Sequence, residues 1–205
     1  MRFVASQARA RYRQDLAAAN EDPASNKMAF LHAIATSMKA LFTNDANNGV
    51  EVMRQSCGGH GYSMYSGIPN QYLITTASVT YEGDTYVLYQ QTARYVIKNE
   101  DFIDHNEHEY AGPVTQILKY LKQVLTEKNT NLGKAAWNSR ILCDAIETAK
   151  FFAMMYAQKE FYELTHSLED PDIKDSFLIL WEIYVITKIL EHRVSAIKSR
   201  VYSAN

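Results

Sequence analysis

Proline and glycine are scarce here, four and eight among 205 residues, about half the share usual for a globular chain. That scarcity argues against a turn-rich all-β fold. Cysteine is scarcer still: Cys57 and Cys143 fall far short of the density of a disulfide-stapled secreted domain, so a reducing compartment is expected. No charge of one sign prevails. The 21 Lys and Arg against 23 Asp and Glu leave no basic field to hold nucleic acid or an anionic membrane surface. Long apolar runs are also missing. The most apolar stretch, Phe177 to Ile186, contains Glu182 and is half of the roughly 20 residues that a membrane span needs, so it is expected to be a core helix. The start, MRFVASQARARYRQDL, lacks an apolar export segment, and the end, Tyr202-Ser203-Ala204-Asn205, is not a Ser-Lys-Leu type of address. What is present is 47% hydrophobic and 21% charged residues, which excludes wholesale disorder. The expectation is a folded, soluble, intracellular chain made mostly of helices.

Apolar periodicity organises the chain. An Ala- and Arg-rich segment runs to about Asn20 and is broken at Glu21-Asp22-Pro23. From Ser25 a long helix is predicted by Met28, Leu31, Ile34 or Ala35, Met38, Leu41 or Phe42 and Met53, weakened at Gly49 and ended by Gly58-Gly59. Residues 57–86 hold five of the eight glycines with Thr and Tyr between them, and no helical period survives. Such loops on a helical scaffold let backbone approach a ligand closely, and this stretch is the candidate site. A helix resumes at Asp84 or Thr85 and fades near Asn99. The polar run to Glu109, followed by Gly112-Pro113, reads as a linker over 105–112 between domains 1–104 and 113–205. Beyond it are predicted a short helix (Val114 to Glu127), a long one (Lys134 to His166) and a last one after Asp170-Pro171. In that last helix Ile173, Phe177, Leu180 or Trp181, Tyr184, Lys188 and Glu191 share a face that starts apolar and turns polar. The fold class is all-α, an antiparallel bundle followed by a second helical domain.

Several residues could carry chemistry. Glu82, in Tyr81-Glu82-Gly83-Asp84-Thr85, is a carboxylate among aromatic and β-branched residues. Burial there would raise its pKa and suit it to abstract a proton from a carbon acid; the plainer account is a cap on the helix that follows. Gly58, Gly59 and Gly61 form a bend that could admit a phosphate or a flat ring, or a tight interhelical turn; they are not G-x-G-x-x-G. His105 and His108 match no zinc signature and read as part of a solvated charge run, so no metal is expected. Cys57, bordering the glycine bend, could serve a redox role but is expected to be a small buried residue. Phe151, Phe152, Met154, Met155 and Tyr156 are expected to be helix core rather than an acyl groove.

The order of these pieces carries a resemblance. Gln55-Ser56-Cys57-Gly58-Gly59-His60-Gly61-Tyr62, then Ser66-Gly67-Ile68-Pro69-Asn70, then Tyr81-Glu82-Gly83-Asp84-Thr85, then Gln91-Thr92-Ala93-Arg94 resembles the peroxisomal acyl-CoA oxidases of the acyl-CoA dehydrogenase superfamily. The resemblance is dense from about Leu41 to Lys98 and looser from Ala135 onward. It implies a flavoenzyme that oxidises fatty acyl-CoA to trans-2-enoyl-CoA and passes the electrons to O2, giving H2O2. In this family the Glu of the Glu-Gly pair removes the α-proton while the β-hydrogen leaves as hydride to FAD, and Glu82 inherits the role. The same residue's backbone N–H, beside Gly83, holds the thioester carbonyl, as an oxyanion donor would.

The carry-over implies further that Gln55, Gly58 and Gly59 contact the FAD of a neighbouring subunit, hence a homodimer, and that Asp84 and Thr85 touch FAD. Dehydrogenases carry Thr-Ser at those two positions and Arg-Asp where this chain has Thr75-Thr76, and both differences favour an oxidase. A dehydrogenase with a protein electron acceptor is the nearest alternative, and a non-catalytic helical dimerisation module the next. Relatives begin with a helical domain and a β-domain that this chain lacks, so a fragment is expected, inactive alone. The resemblance points to the peroxisome.

Overall fold

The computed structural model describes residues 12–18, 20–21, 27–99 and 112–201. Among them there is no strand, and the protein is all-α. After a helical stretch over 12–18 the chain forms α1 (Lys27–Ser56), the single turn α2 (Gly59–Tyr62), α3 (Ile68–Ala77) and α4 (Thr85–Lys98). There follow α5 (Gly112–Leu132), α6 (Leu142–His166), α7 (Pro171–Glu191) and the short α8 (Arg193–Lys198). The run 105–112 expected as a linker lies outside the described residues except for Gly112, which opens α5. His105 and His108 lie outside them too.

Helix boundaries follow local chemistry. Asp84 caps α4, accepting from the Tyr86 and Val87 backbone N–H groups, and Asp170 caps α7 in the same way with Pro171 at its first position. α1 ends where Gly58 adopts φ 55°. The predicted helix from Lys134 to His166 is instead a 3₁₀ turn (Lys134–Ala136), a π turn (Trp137–Ile141) and then α6. The wide turn seats Trp137 against Ala93, Leu125, Ile141 and Ala145, and its indole N–H donates to Gln90 Oε1 at 3.0 Å.

α6 is the central rod. Phe151, Phe152, Met154 and Met155 are fully buried among Leu41, Val96, Ile117 and Leu118, so they are core, as expected, and Tyr156 is half-buried against them. α1 packs through Leu31 and Leu41, as expected, and through the small Ala33, Thr36, Ser37 and Ala40 beside them, whereas Met28, Phe42 and Met53 are exposed. Small residues let backbones approach, and Thr36 and Thr92 hydroxyls meet at 3.1 Å between α1 and α4. α7 departs further from expectation. Among the described residues only one of its faces has neighbours, centred on Val185 and Ile189, and Ile173, Ile179, Leu180, Ile183 and Ile186 are exposed, so the apolar run is only partly a core helix. Asp45 of α1 anchors it, accepting from the Tyr184 hydroxyl and the Lys188 ammonium, each at 2.8 Å.

Candidate active site

Between α1 and α4 the texture that promised only loop contains a ten-residue helix, α3. Gly67 takes φ 74° at its N-cap and Pro69 sits in its first turn, signals that helix periodicity alone does not read. α3 is docked on α1, with the Thr76 hydroxyl donating to Asn47 Oδ1 at 2.9 Å. At about 1.5 Å per residue it spans roughly 15 Å and separates two irregular segments: the glycine bend before it and the Glu82 turn after it.

The Glu82 turn is closed from within. The Tyr81 N–H donates to the Ala77 carbonyl, and both the N–H and the hydroxyl of Thr85 donate to the Val79 carbonyl, each at 3.1 Å. At its tip Glu82 has φ 57° and Gly83 φ 109°. A positive φ is costly for a side-chain-bearing residue, and it turns Tyr81 and Glu82 outward; both are exposed. The burial expected to desolvate the Glu82 carboxylate is therefore not supplied by the described residues. The plainer expectation fails as well, because Asp84 and not Glu82 caps α4. From α1 the Lys39 ammonium donates to the Gly83 carbonyl at 2.6 Å. Leu88 packs beneath Gly83, where an added Cβ would lie 2.8 Å from Leu88 Cδ2.

The glycine bend is held by a different device. Gly61 is the one buried residue of 57–67; a Cβ there would fall 1.8 Å from the Arg54 carbonyl oxygen, so backbone packs directly on backbone. Cys57, expected to be buried, is exposed in the turn that ends α1. Glu51 accepts from Arg54 through both carboxylate oxygens and from the Gln55 amide, all at 2.7 Å. These bonds, Arg54's first, hold its carboxyl down at about 2. Arg54 also lies over the Tyr72 ring, and together they line an open cleft of about 440 Å³ with Tyr62, Met64 and Leu73. Glu51, Arg54 and Tyr72 were not among the residues singled out from the sequence, although the three- and four-residue charge spacing on a helix was a usable signal.

The structure thus gathers Glu82, Gly83, Asp84 and Thr85 into one turn, and Gln55, Gly58 and Gly59 into the bend at the far end of α3. Among the described residues no cluster of three metal-ligating side chains occurs, and no helix is long and apolar enough to cross a membrane.

Comparison with known proteins gives this geometry its context. The family model described as acyl-CoA oxidase, C-alpha1 domain, matches residues 1–97, and that described as acyl-CoA oxidase matches residues 99–205. The chain belongs to the acyl-CoA oxidase family. It is 37% identical over 111 residues to peroxisomal acyl-coenzyme A oxidase 1 of Homo sapiens, covering 54% of this chain and 16% of that one. To peroxisomal acyl-coenzyme A oxidase 2 of Rattus norvegicus it is 51% identical over 69 residues, 34% of this chain and 10% of the other. It spans less than a fifth of the length of either. Acyl-CoA oxidase 1 of Arabidopsis thaliana shares the fold at a TM-score of 0.82 and 18% identity, over 99% of this chain and 36% of that one. Acyl-CoA oxidase-1 of Caenorhabditis elegans, solved with FAD and ATP, does so at 0.81 and 22%, over 95% and 35%.

Proposed function

We propose that this chain forms the base-bearing wall of an FAD-dependent oxidase that converts fatty acyl-CoA to trans-2-enoyl-CoA and reduces O2 to H2O2, with Glu82 as the base. The observation that carries the reading is the Glu82 turn itself, an acyl-CoA oxidase family chain in which a carboxylate is held outward at φ 57° with backbone fixed on both sides. Glu82 would take the α-proton of the thioester, and its backbone N–H, beside Gly83, would hold the thioester carbonyl as charge develops there. FAD, when bound, supplies the acceptor for the hydride that leaves the β-carbon.

The chain's own residues fit a flat cofactor at the bend. An added Cβ at Gly58 or Gly59 would meet nothing within 4 Å, so bare backbone faces open space, and exposed Gln55 lies beside it. We assign Gln55, Gly58 and Gly59 to FAD across a homodimer interface. Asp84 and Thr85 are assigned to the same cofactor, although the Asp84 carboxylate caps α4 and the Thr85 hydroxyl closes the turn. The two regions 1–104 and 113–205 then divide the work: the first presents the turn, and the second buttresses α1 and α4 through α6. Residence in the peroxisome is proposed from the names of the relatives.

The test is Glu82→Gln in the holoenzyme that carries this chain. Bleaching of the flavin by acyl-CoA should fall by more than a general-base contribution of roughly 100-fold to 10,000-fold, with FAD still bound. Retained bleaching removes Glu82 from the chemistry. Peroxide release with oxygen as the sole acceptor separates oxidase from dehydrogenase.

A further inference from the structure

We propose that Lys39 is the positioning residue of the Glu82 turn, an inference that rests on the reading of Glu82 as the base. Two consecutive residues of the turn carry positive φ, Glu82 at 57° and Gly83 at 109°. A side-chain-bearing residue in such a region is strained and persists only where its surroundings over-determine it. The bonds within the turn fix its two shoulders, at Tyr81 and at Thr85. The tip is fixed from outside, by the Lys39 ammonium on the Gly83 carbonyl at 2.6 Å across 44 positions of sequence, with Leu88 packed beneath the Gly83 α-carbon.

Lys39 is itself well placed to hold a tip in register. It is half-buried on α1 beside Ala40, which is fully buried against Leu88, Tyr89 and Ala149, so its α-carbon belongs to the packed core and not to a mobile surface. A charged donor on a main-chain carbonyl makes a shorter and roughly twofold stronger bond than a neutral one. The Gly83 carbonyl lies in the Gly83–Asp84 peptide plane; with that plane held by Lys39 and Tyr81 held by its bond to Ala77, the dihedrals of Glu82 and Gly83 are caught between two fixed points, and with them the direction of the Glu82 side chain and of its N–H. Lys39 is assigned to act through the Gly83 carbonyl, by aiming the residue read as the base.

A misplacement of about 1 Å at a reacting group costs on the order of 100-fold in rate. Lys39→Met in the holoenzyme should therefore lower kcat by roughly 10-fold to 100-fold with KM unchanged within about twofold, and Lys39→Arg, which restores a charged donor, should recover most of the loss. In the same holoenzyme, amide exchange at Tyr81 and Thr85 should quicken by about 10-fold in Lys39→Met, with little change in Tm. Glu82→Gln is run alongside. If Glu82→Gln abolishes turnover while Lys39→Met keeps the wild-type kcat, the positioning role is refuted and the base stands. A loss confined to KM refutes it as well, as does faster exchange without loss of kcat, which would make Lys39 a structural pin only. If Glu82→Gln itself turns over normally, the reading beneath the proposal falls.

Discussion

Gly61→Ala adds one methyl group at the point where the glycine bend rests on α1. Its carbon would lie 1.8 Å from the Arg54 carbonyl oxygen and 2.8 Å from the carbonyl carbon, whereas real Cβ contacts essentially never fall below 3.0 Å. The bend must withdraw by roughly 1 Å or more, and what it meets is helix backbone, which cannot swing aside as a side chain would. Overpacking costs about 1–3 kcal/mol. The structure sets the lower part of that range, because Gly61 is the only buried residue between 57 and 67, so the turn can lift away without opening the core around α6. A loss of about 1–2 kcal/mol corresponds to a fall of roughly 2–8 °C in Tm for a chain of this length.

Differential scanning calorimetry measures the global effect, and amide exchange at His60, Gly61 and Ser63 the local one; the exchange should accelerate more than the Tm shift alone explains. Gly59→Ala is the control two positions away. Its Cβ meets nothing within 4 Å and its φ is not positive, so its Tm should stay within about 1 °C. A Gly61→Ala protein with wild-type Tm and exchange, or a Gly59→Ala protein equally damaged, refutes the claim that backbone contact holds the bend. On the proposed function, Gly61→Ala should also loosen FAD in the holoenzyme while leaving the Glu82 turn intact.

Glu147 accepts from the Ser195 hydroxyl at 2.8 Å and from His192 Nδ1 at 3.0 Å. Burial works against its ionisation, and the bonds from His192 and Ser195 outweigh it, so the carboxyl sits below its ordinary range. A depressed native pKa contributes stability that is complete above the unfolded value of about 4.3 and is lost as pH falls through the lower native one; Glu147→Gln should cost about 1–3 kcal/mol at pH 7. By urea titration the gap between the two proteins should narrow below about pH 4, and a gap constant to pH 3 counts against the arrangement. Phe152→Ala, at a fully buried ring 5.2 Å from Tyr156, should cost about 3–5 kcal/mol. Ile183→Ser, at a position 57% exposed on α7, should stay within about 0.5 kcal/mol, and equal effects by thermal denaturation would contradict the assignment of the core.

The parts of the fold legible in the sequence are those decided by neighbours in the chain. Gly58-Gly59 ending α1, Asp84 opening α4 and Asp170-Pro171 opening α7 are cap chemistry, complete within four residues. Which face a helix buries is decided elsewhere. The apolar period of α1 picks out the buried Leu31 and Leu41 but not Ala33, Ser37 and Ala40 packed beside them, because close approach to α4 and α6 favours small residues that a hydrophobic stripe does not mark. α7 was read as a core helix from its composition, yet composition does not say how many of its faces meet a neighbour. α3 was missed because its Thr- and Tyr-rich sequence has no clear stripe, as expected for a helix with no fully buried residue; its start at Gly67 and Pro69 was written in the sequence all the same.

The candidate site divides along the same line, and the division bears on how Glu82 would work. Its place in the chain was legible from the order of motifs around it. Its environment was not, since a carboxylate flanked by Tyr81 and Val79 reads as buried, and only the backbone at φ 57° reveals that the turn presents it outward. An exposed carboxylate in water makes a weak base for a carbon acid, because water stabilises its charged form. The desolvation that the proposed chemistry needs is not supplied by the described residues and would come from a surface laid against them. Tyr62, Leu73, Ile74, Tyr81 and Tyr86 are all more than half exposed on the elements that flank the turn and the bend, far more aromatic and aliphatic area than solvent contact favours. Strain therefore sets the direction of Glu82, Lys39 holds it, and closure of a second surface over these side chains would turn a solvated carboxylate into a base.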